Sequence, residues 1–469
     1  MFMDLANLNI FDKRFFILLG AFIVFYLLSI AGFYWPTLQL IIFCLLVLAM
    51  TVLVVWRFEW AMIFFLAEWF FGQSGHMFEF HGLSLGLMLF VILMTGWLAR
   101  KIIKKEPLAF FQSKLSVGWL LFVLFLFLAA LRGYWNQHNE SLILGDALSY
   151  LFLFLIFPLI EFLQIAKNRQ WLVKIVVAAI VGVGFFTIFN LLLYSSHLSQ
   201  VHDSYYWWIR NFLIGKVTDT GQGFFRIVLP AHLWFLPALL VLLAAWWQKE
   251  LSLRVKKQLI FLAIILSLVL LVNFSRAYFL GLLAGLLLFK IFLPWRKWII
   301  FLLTAVLILI LEFNVIYFIT TNHWTGLGFL SGRLGTIVQP EDELSSLTRL
   351  RILPGLLTNI KNNLLLGTGL GTTITYQDSL SQTIKSTYYI DWGWLQLLVD
   401  VGLLGFIAYL LFLGQIIVGL IKKIRANINS VFYAGLLAGL LALMIATLTG
   451  PFLFHPLGIF YQLLVIYWI

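Results

Sequence analysis

NFSRAYFLGLLAGLLLF, residues 273–289, sets one arginine, Arg276, between two dense apolar runs. No acidic residue lies within twenty positions of it on either side. Outward from this stretch the pattern repeats: apolar runs near the roughly 20-residue length that crosses a bilayer alternate with short polar or basic segments. The runs lie near 15–34, 38–56, 60–72, 82–99, 115–131, 144–165, 171–194, 229–247, 258–274, 277–293, 298–320, 388–421, 431–449 and 457–469. The expected fold is all-α, a polytopic membrane helix bundle of about 12–14 transmembrane helices. It is read as a single integral membrane domain over 1–469.

Composition agrees. Hydrophobic residues make up 63% of the 469 and charged residues 11%, with mean hydropathy +1.02. That much apolar surface requires lipid as solvent. The net charge of +12 is not gathered into one basic domain, which argues against a nucleic-acid partner. Instead Lys13/Arg14, Arg57, Arg100/Lys101/Lys104/Lys105, Lys167/Arg169, Lys249/Arg254/Lys256/Lys257, Arg296/Lys297 and Lys422/Lys423/Arg425 fall on one side if every run spans once. The positive-inside rule makes that side the cytoplasm and places both termini there. Cys44 is the only cysteine, so no intrachain disulfide forms. The first long run lacks a small-residue cleavage site, so no cleavable signal peptide is expected.

This orientation gives the outer face two unusual loops, about 195–228 and 321–387. Arg276 falls at the outer end of its span. It reads either as an interfacial anchor or as an anion site, since a guanidinium offers a planar fork of donors and stays charged. The larger loop holds SSLTRLRILPGLLTNIKNNLLLGTGLGTT, 345–373, with Arg349, Arg351 and Lys361. A short amphipathic helix over Leu350–Asn359, interrupted near Pro354, is expected there. Gly367, Gly369 and Gly371 follow no strand, so a tight turn returning the loop to the membrane is favoured over a phosphate cradle. Glu341, Asp342 and Glu343 are candidate partners for the loop arginines.

Two acids, Asp391 and Asp400, stand in the apolar run YYIDWGWLQLLVDVGLLGFIAYLLF, 388–412. Asp391, flanked by Trp392 and Trp394, reads either as a proton acceptor or as the partner of an external arginine. Gly402 and Gly405 permit a bend or close packing. The first loop offers His202, Asp203, Tyr205, Tyr206, Trp207, Trp208 and Arg210, a set suited to an aromatic belt or a glycan face. His76, Glu79 and His81 match no standard zinc spacing, and no metal site is expected. Glu68, Asp146 and Glu161 lie in spans and are expected to cap or pair between helices.

Three pieces in order, SRAYFLGLLAGLLLF, LTRLRILPGLLTNIKNNLLLGTGLG and DWGWLQLLVDVGLLG, resemble the O-antigen ligase and polymerase superfamily over residues 270–420. Members of that superfamily move lipid-linked glycans at the outer face of the bacterial inner membrane. The resemblance implies a metal-independent membrane glycosyltransferase of GT-C-like type, without a cofactor. Its donor would be a polyprenyl-pyrophosphate-linked glycan, its acceptor a second lipid-linked glycan, and a chain-length regulator protein a further partner. It implies catalytic roles for Asp391, Arg276 and Arg351, with Arg349, Arg210, Lys361, Trp392, Trp394 and Gly369 binding substrate. Ligases of this kind carry a histidine followed by Asn, Ser or Gln, then nine residues and a GxxG pair; counted back from Gly402 and Gly405, the histidine position holds Asp391, followed by Trp392. A repeat-unit polymerase is therefore expected ahead of a ligase that moves glycan to lipid A core, protein or cell wall. A lipid-linked oligosaccharide flippase is the competing reading from another class. Against it stand charges at span ends and the lack of an inverted repeat in the sequence.

Overall fold

The computed structural model describes residues 9–73, 77–112, 115–196, 203–220, 223–248, 251–326, 344–377, 383–388, 390–426 and 430–469, with scattered positions between 327 and 343. Every predicted apolar run contains helix. In chain order these are α1 (Lys13–Tyr34), α2 (Pro36–Trp56), α3 (Phe58–Phe71), α4 (Leu85–Lys104), α5 (Leu115–Trp135), α6 (Glu140–Leu151), α7 (Ile156–Gln164) and α8 (Ala166–Ser195). There follow α9 (Asp203–Asn211), α10 (His232–Trp246), α11 (Leu253–Asn273), α12 (Arg276–Leu288) and α13 (Trp295–Thr321). The last four are α14 (Leu344–Asn362), α15 (Gly393–Arg425), α16 (Ser430–Ala446) and α17 (Pro456–Trp468). Short antiparallel hairpins β1–β2 (Glu79–Phe80, Leu83–Ser84), β3–β4 (Lys216–Asp219, Phe225–Val228) and β5–β6 (Ile374–Gln377, Ile384–Thr387) complete it.

The chain is thus a helical polytopic membrane protein. Among the described residues, ten helical segments are long and apolar enough to span by length and composition alone. The other four runs form helices α3, α10, α12 and α17 of 14, 15, 13 and 13 residues. At about 1.5 Å per residue these reach roughly 20–23 Å, short of a hydrocarbon core of about 30 Å. The helix expected over Leu350–Asn359 is the longer α14, and Pro354 stands inside it without ending it. The carbonyl that loses a donor to proline belongs to Leu350, whose side chain is exposed, so the missing bond falls on an open turn.

Two compact units divide the chain. The first comprises Met1–Pro107, Phe157–Ser275 and Leu293–Gly326. Its centre is α8, against which α1, α3 and α11 pack. The most apolar window of α8 is 67% buried, against 11% for α13, so α13 is the helix that lipid must cover. Phe274, just after α11, adopts a left-handed φ of 51° and is held there by stacking on Phe313 at 5.6 Å.

The second unit comprises Leu108–Ile156, Arg276–Phe292 and Leu327–Ile469. Here α5 lies along α15, and α12 lies along α16. Gly281 and Gly285, four apart on α12, are both buried, as expected of a closely packed seam. Trp119, Phe122 and Tyr409 fill the core, with Phe122 and Tyr409 rings 4.8 Å apart. A smaller apolar cluster of Ile352, Leu356, Ile374, Ile390 and Val399 ties α14 to β5 and α15, with Trp392 and Tyr376 packed on it.

Candidate functional site

The broken helix α15 supports the site. Gly402 has φ 69° and ψ −177°, outside the helical region. A regular helix would pair the Leu403 and Leu404 N–H groups with the carbonyls of Val399 and Asp400. Instead, the chain leaving α14 enters the gap. Leu403 and Leu404 donate to the carbonyls of Leu364 (2.8 Å) and Leu365 (3.2 Å), while Val399 and Asp400 accept from Thr368 (2.7 Å) and Gly369 (3.1 Å). Both ends of both lost bonds are recovered, which is what a helix break inside a membrane protein requires. A Cβ on Gly402 would meet backbone atoms of Leu365, Leu366 and Gly367. Residues 364–371 therefore act as a backbone splint.

The far side of the splint is clamped from α5 and α6. Asp146 Oδ2 accepts from the Gly371 N–H at 2.8 Å, and its Oδ1 accepts from the Tyr388 hydroxyl at 2.6 Å. Asn136 Nδ2 donates to the Thr368 carbonyl at 2.7 Å, and His138 Nδ1 lies 2.8 Å from the Leu370 carbonyl. These bonds fix the segment that leads into Asp391.

Asp391 lies two residues ahead of α15 with its side chain 51% exposed. Arg349 Nε donates to its Oδ2 at 3.1 Å, and Arg349 Nη2 lies 3.1 Å from the same oxygen. Among the described residues no protein group bonds Oδ1. Trp392 Nε1 donates to the Arg349 carbonyl at 3.1 Å, which fixes the backbone beneath the pair. Arg276 opens α12, and its Nη2 donates to Ser346 Oγ at 2.9 Å. Ser346 and Arg349 are three apart on α14, so about 60° separates them around the axis and they share a face. Arg351, roughly 200° from Arg349, turns away and its Nη1 donates to the Gln377 carbonyl at 3.2 Å. The fold thus gathers Arg276, Ser346, Arg349 and Asp391, and sends Arg351 to the β5–β6 hairpin. The Arg349 guanidinium, with Arg276 tied to the same helix face through Ser346, can bind phosphate oxygens, and the open oxygen of Asp391 can accept a hydroxyl proton or hydrogen bond.

The remaining sequence candidates lie elsewhere. Lys361 is exposed in the last turn of α14, 15 residues from Ser346 and hence roughly 22 Å along the helix. Trp394, half-buried, donates to the Met444 carbonyl at 3.0 Å and packs on Tyr409 and Phe454. Gly369 is part of the splint. Arg210 is exposed on α9, in the first unit. That helix docks through Trp208, whose Nε1 donates to Ser29 Oγ at 3.1 Å, and Tyr205, whose hydroxyl donates to Asn190 at 2.9 Å. Glu161 pairs with Lys101 at 2.8 Å, while the buried Glu68 has, among the described residues, no hydrogen-bond partner for either oxygen. His76, His202, Glu341, Asp342 and Glu343 lie outside the described residues. Ser346 escaped sequence reading. Its only signal is the helical spacing to Arg349.

Residues 261–410 match the family model described as O-antigen ligase. The match supports the O-antigen ligase and polymerase superfamily resemblance. It contains Arg276, Ser346, Arg349, the splint and Asp391. The chain matches no curated protein and no solved structure.

Proposed function

Taking the O-antigen ligase-family match over residues 261–410 as the premise, we propose that this membrane protein polymerises polyprenyl-pyrophosphate-linked glycan repeat units at the outer face of a bacterial inner membrane, with both termini cytoplasmic. The observation that carries the reading is that Arg276 and Asp391 both bond to one face of α14, through Ser346 and Arg349. Such a donor brings its own leaving group, so the protein must hold pyrophosphate and receive one proton. The acceptor hydroxyl oxygen attacks the anomeric carbon of the donor glycan. The bond from that carbon to the pyrophosphate oxygen breaks, and polyprenyl pyrophosphate departs with the electron pair. Arg276 and Arg349 neutralise the charge that develops on it. Asp391 Oδ1 orients the attacking hydroxyl and takes its proton, while Oδ2 stays with Arg349.

The second reading, transfer of the assembled glycan to a different acceptor, is favoured by the printed description of the matched family. One experiment separates the two. Purified protein is given two lipid-linked repeat units and the products are resolved by size. A growing ladder supports polymerisation, whereas transfer only to a different supplied acceptor, such as lipid A core or a protein, overturns it in favour of ligation.

A further inference from the structure

A second cluster of cations lies in the first compact unit, remote in sequence from the residues assigned above. A cavity of about 510 Å³ opens where α2 meets α3, beside the last turn of α4 and the start of α8. Arg57, Arg100 and Lys167 line it together with Glu59 and Glu161. Glu161 is already committed, to Lys101 at 2.8 Å and to the Trp97 indole N–H at 3.2 Å. Arg57 and Arg100 lie over aromatic faces, Trp56 at 5.3 Å and Phe58 at 5.1 Å, and Arg100 also feels the charge of Glu106, which is not among the residues lining the cavity. Among the described residues neither arginine nor Lys167 has an ion pair, so three cations face one uncommitted acid, Glu59.

The position of the cavity identifies its ligand. It sits at the ends of three long apolar helices, α2, α4 and α8, where hydrocarbon gives way to headgroups. Beside it Val55 is 82% and Trp56 72% exposed, an apolar surface that acyl chains would cover. Basic pockets between spans on the positively charged side are sites for anionic headgroups, and the volume suits one. We propose that this cavity binds the phosphate diester of an anionic membrane phospholipid. Arg57 and Arg100 would bond its non-bridging oxygens, with Lys167 as a point charge. The prevalence of cations over acids selects an anionic headgroup over a zwitterionic one.

The test uses the full-length protein, solubilised from vesicles holding phosphatidylglycerol and phosphatidylcholine in equal amounts, with retained lipid read by native mass spectrometry. Retention of phosphatidylglycerol several-fold above phosphatidylcholine is expected, and Arg57→Gln with Arg100→Gln should abolish that preference. Lys104→Gln, equally basic but outside the cavity, should leave it intact. Circular dichroism and thermal unfolding check that the variants fold, and Lys167→Gln alone serves should the double variant fail. Equal retention of the two lipids, or a preference unchanged in the Arg57/Arg100 variant, overturns the proposal. Displacement of the lipid by millimolar inorganic phosphate, dependent on the same residues, supports the phosphate site and assigns its ligand to the soluble phase.

Discussion

Arg349 meets Asp391 through two nitrogens that share the single oxygen Oδ2, leaving Oδ1 of the carboxylate open. The arrangement positions the acid without consuming its second oxygen. Asp391→Asn keeps the shape but removes the charge and the proton acceptor. Its glycan transfer should fall roughly 100-fold or more while its thermal unfolding stays near that of the parent. An unaltered rate would remove Asp391 from the reaction.

Arg349 and Arg351 are two residues apart yet predict different outcomes, because the helix points them apart. Arg349→Ala should lose roughly 100-fold in transfer, the scale of one missing charge-stabilising donor. Arg351→Ala gives up a hydrogen bond to the Gln377 carbonyl, and its rate should drop less than about tenfold. Parallel assays with one lipid-linked substrate decide the matter. A reversed ranking would move the donor phosphate to the hairpin side of α14.

Arg276 should tolerate neither Ala nor Lys, since ammonium lacks the planar fork; a loss of about tenfold or more is expected for Arg276→Lys. Ser346→Ala should be milder, about fivefold, the cost of one neutral hydrogen bond that steadies the guanidinium. Membrane assays of the three variants at matched expression provide the comparison. Full activity in Arg276→Ala would assign this arginine to headgroup anchoring.

The splint makes a stability prediction. Gly402→Ala forces a side chain into a positive-φ conformation that only glycine adopts readily, at about 1–3 kcal/mol, and drives its Cβ into the backbone of residues 365–367. The detergent-solubilised variant should lose several degrees in Tm or fail to accumulate. An unchanged Tm would mean that the loop is not locked into the helix break.

Asp146 holds the loop and the segment before Asp391 at once. Tyr388→Phe leaves the bond to Gly371, whereas Asp146→Asn can accept at only one oxygen and leaves one donor unsatisfied. Thermal unfolding should therefore show the larger drop for Asp146→Asn. Transfer should decline in both because Asp391 loses its footing. Equal Tm values would argue against a shared clamp.

Hydropathy alone located the helices of the apolar runs, though not α9 or the full length of α14, because lipid accepts only segments whose backbone bonds close locally and whose side chains are apolar. The basic loops, the run carrying Asp391 and Asp400, and the three ordered pieces of the superfamily resemblance were legible for the same reason: each is a local pattern. Tertiary structure decided what those residues do. Arg276 has no acidic neighbour in sequence, yet it meets Ser346, 70 residues on. Asp391 chooses Arg349 over Arg351 across 42 residues, because helix geometry turns only one of them toward it. The bonds that repair α15 join residues 31 or more apart, as between Thr368 and Val399. No periodicity encodes such pairings. They arise because a break in a membrane helix leaves four backbone groups in need of partners, and the chain leaving α14 comes close enough to satisfy them.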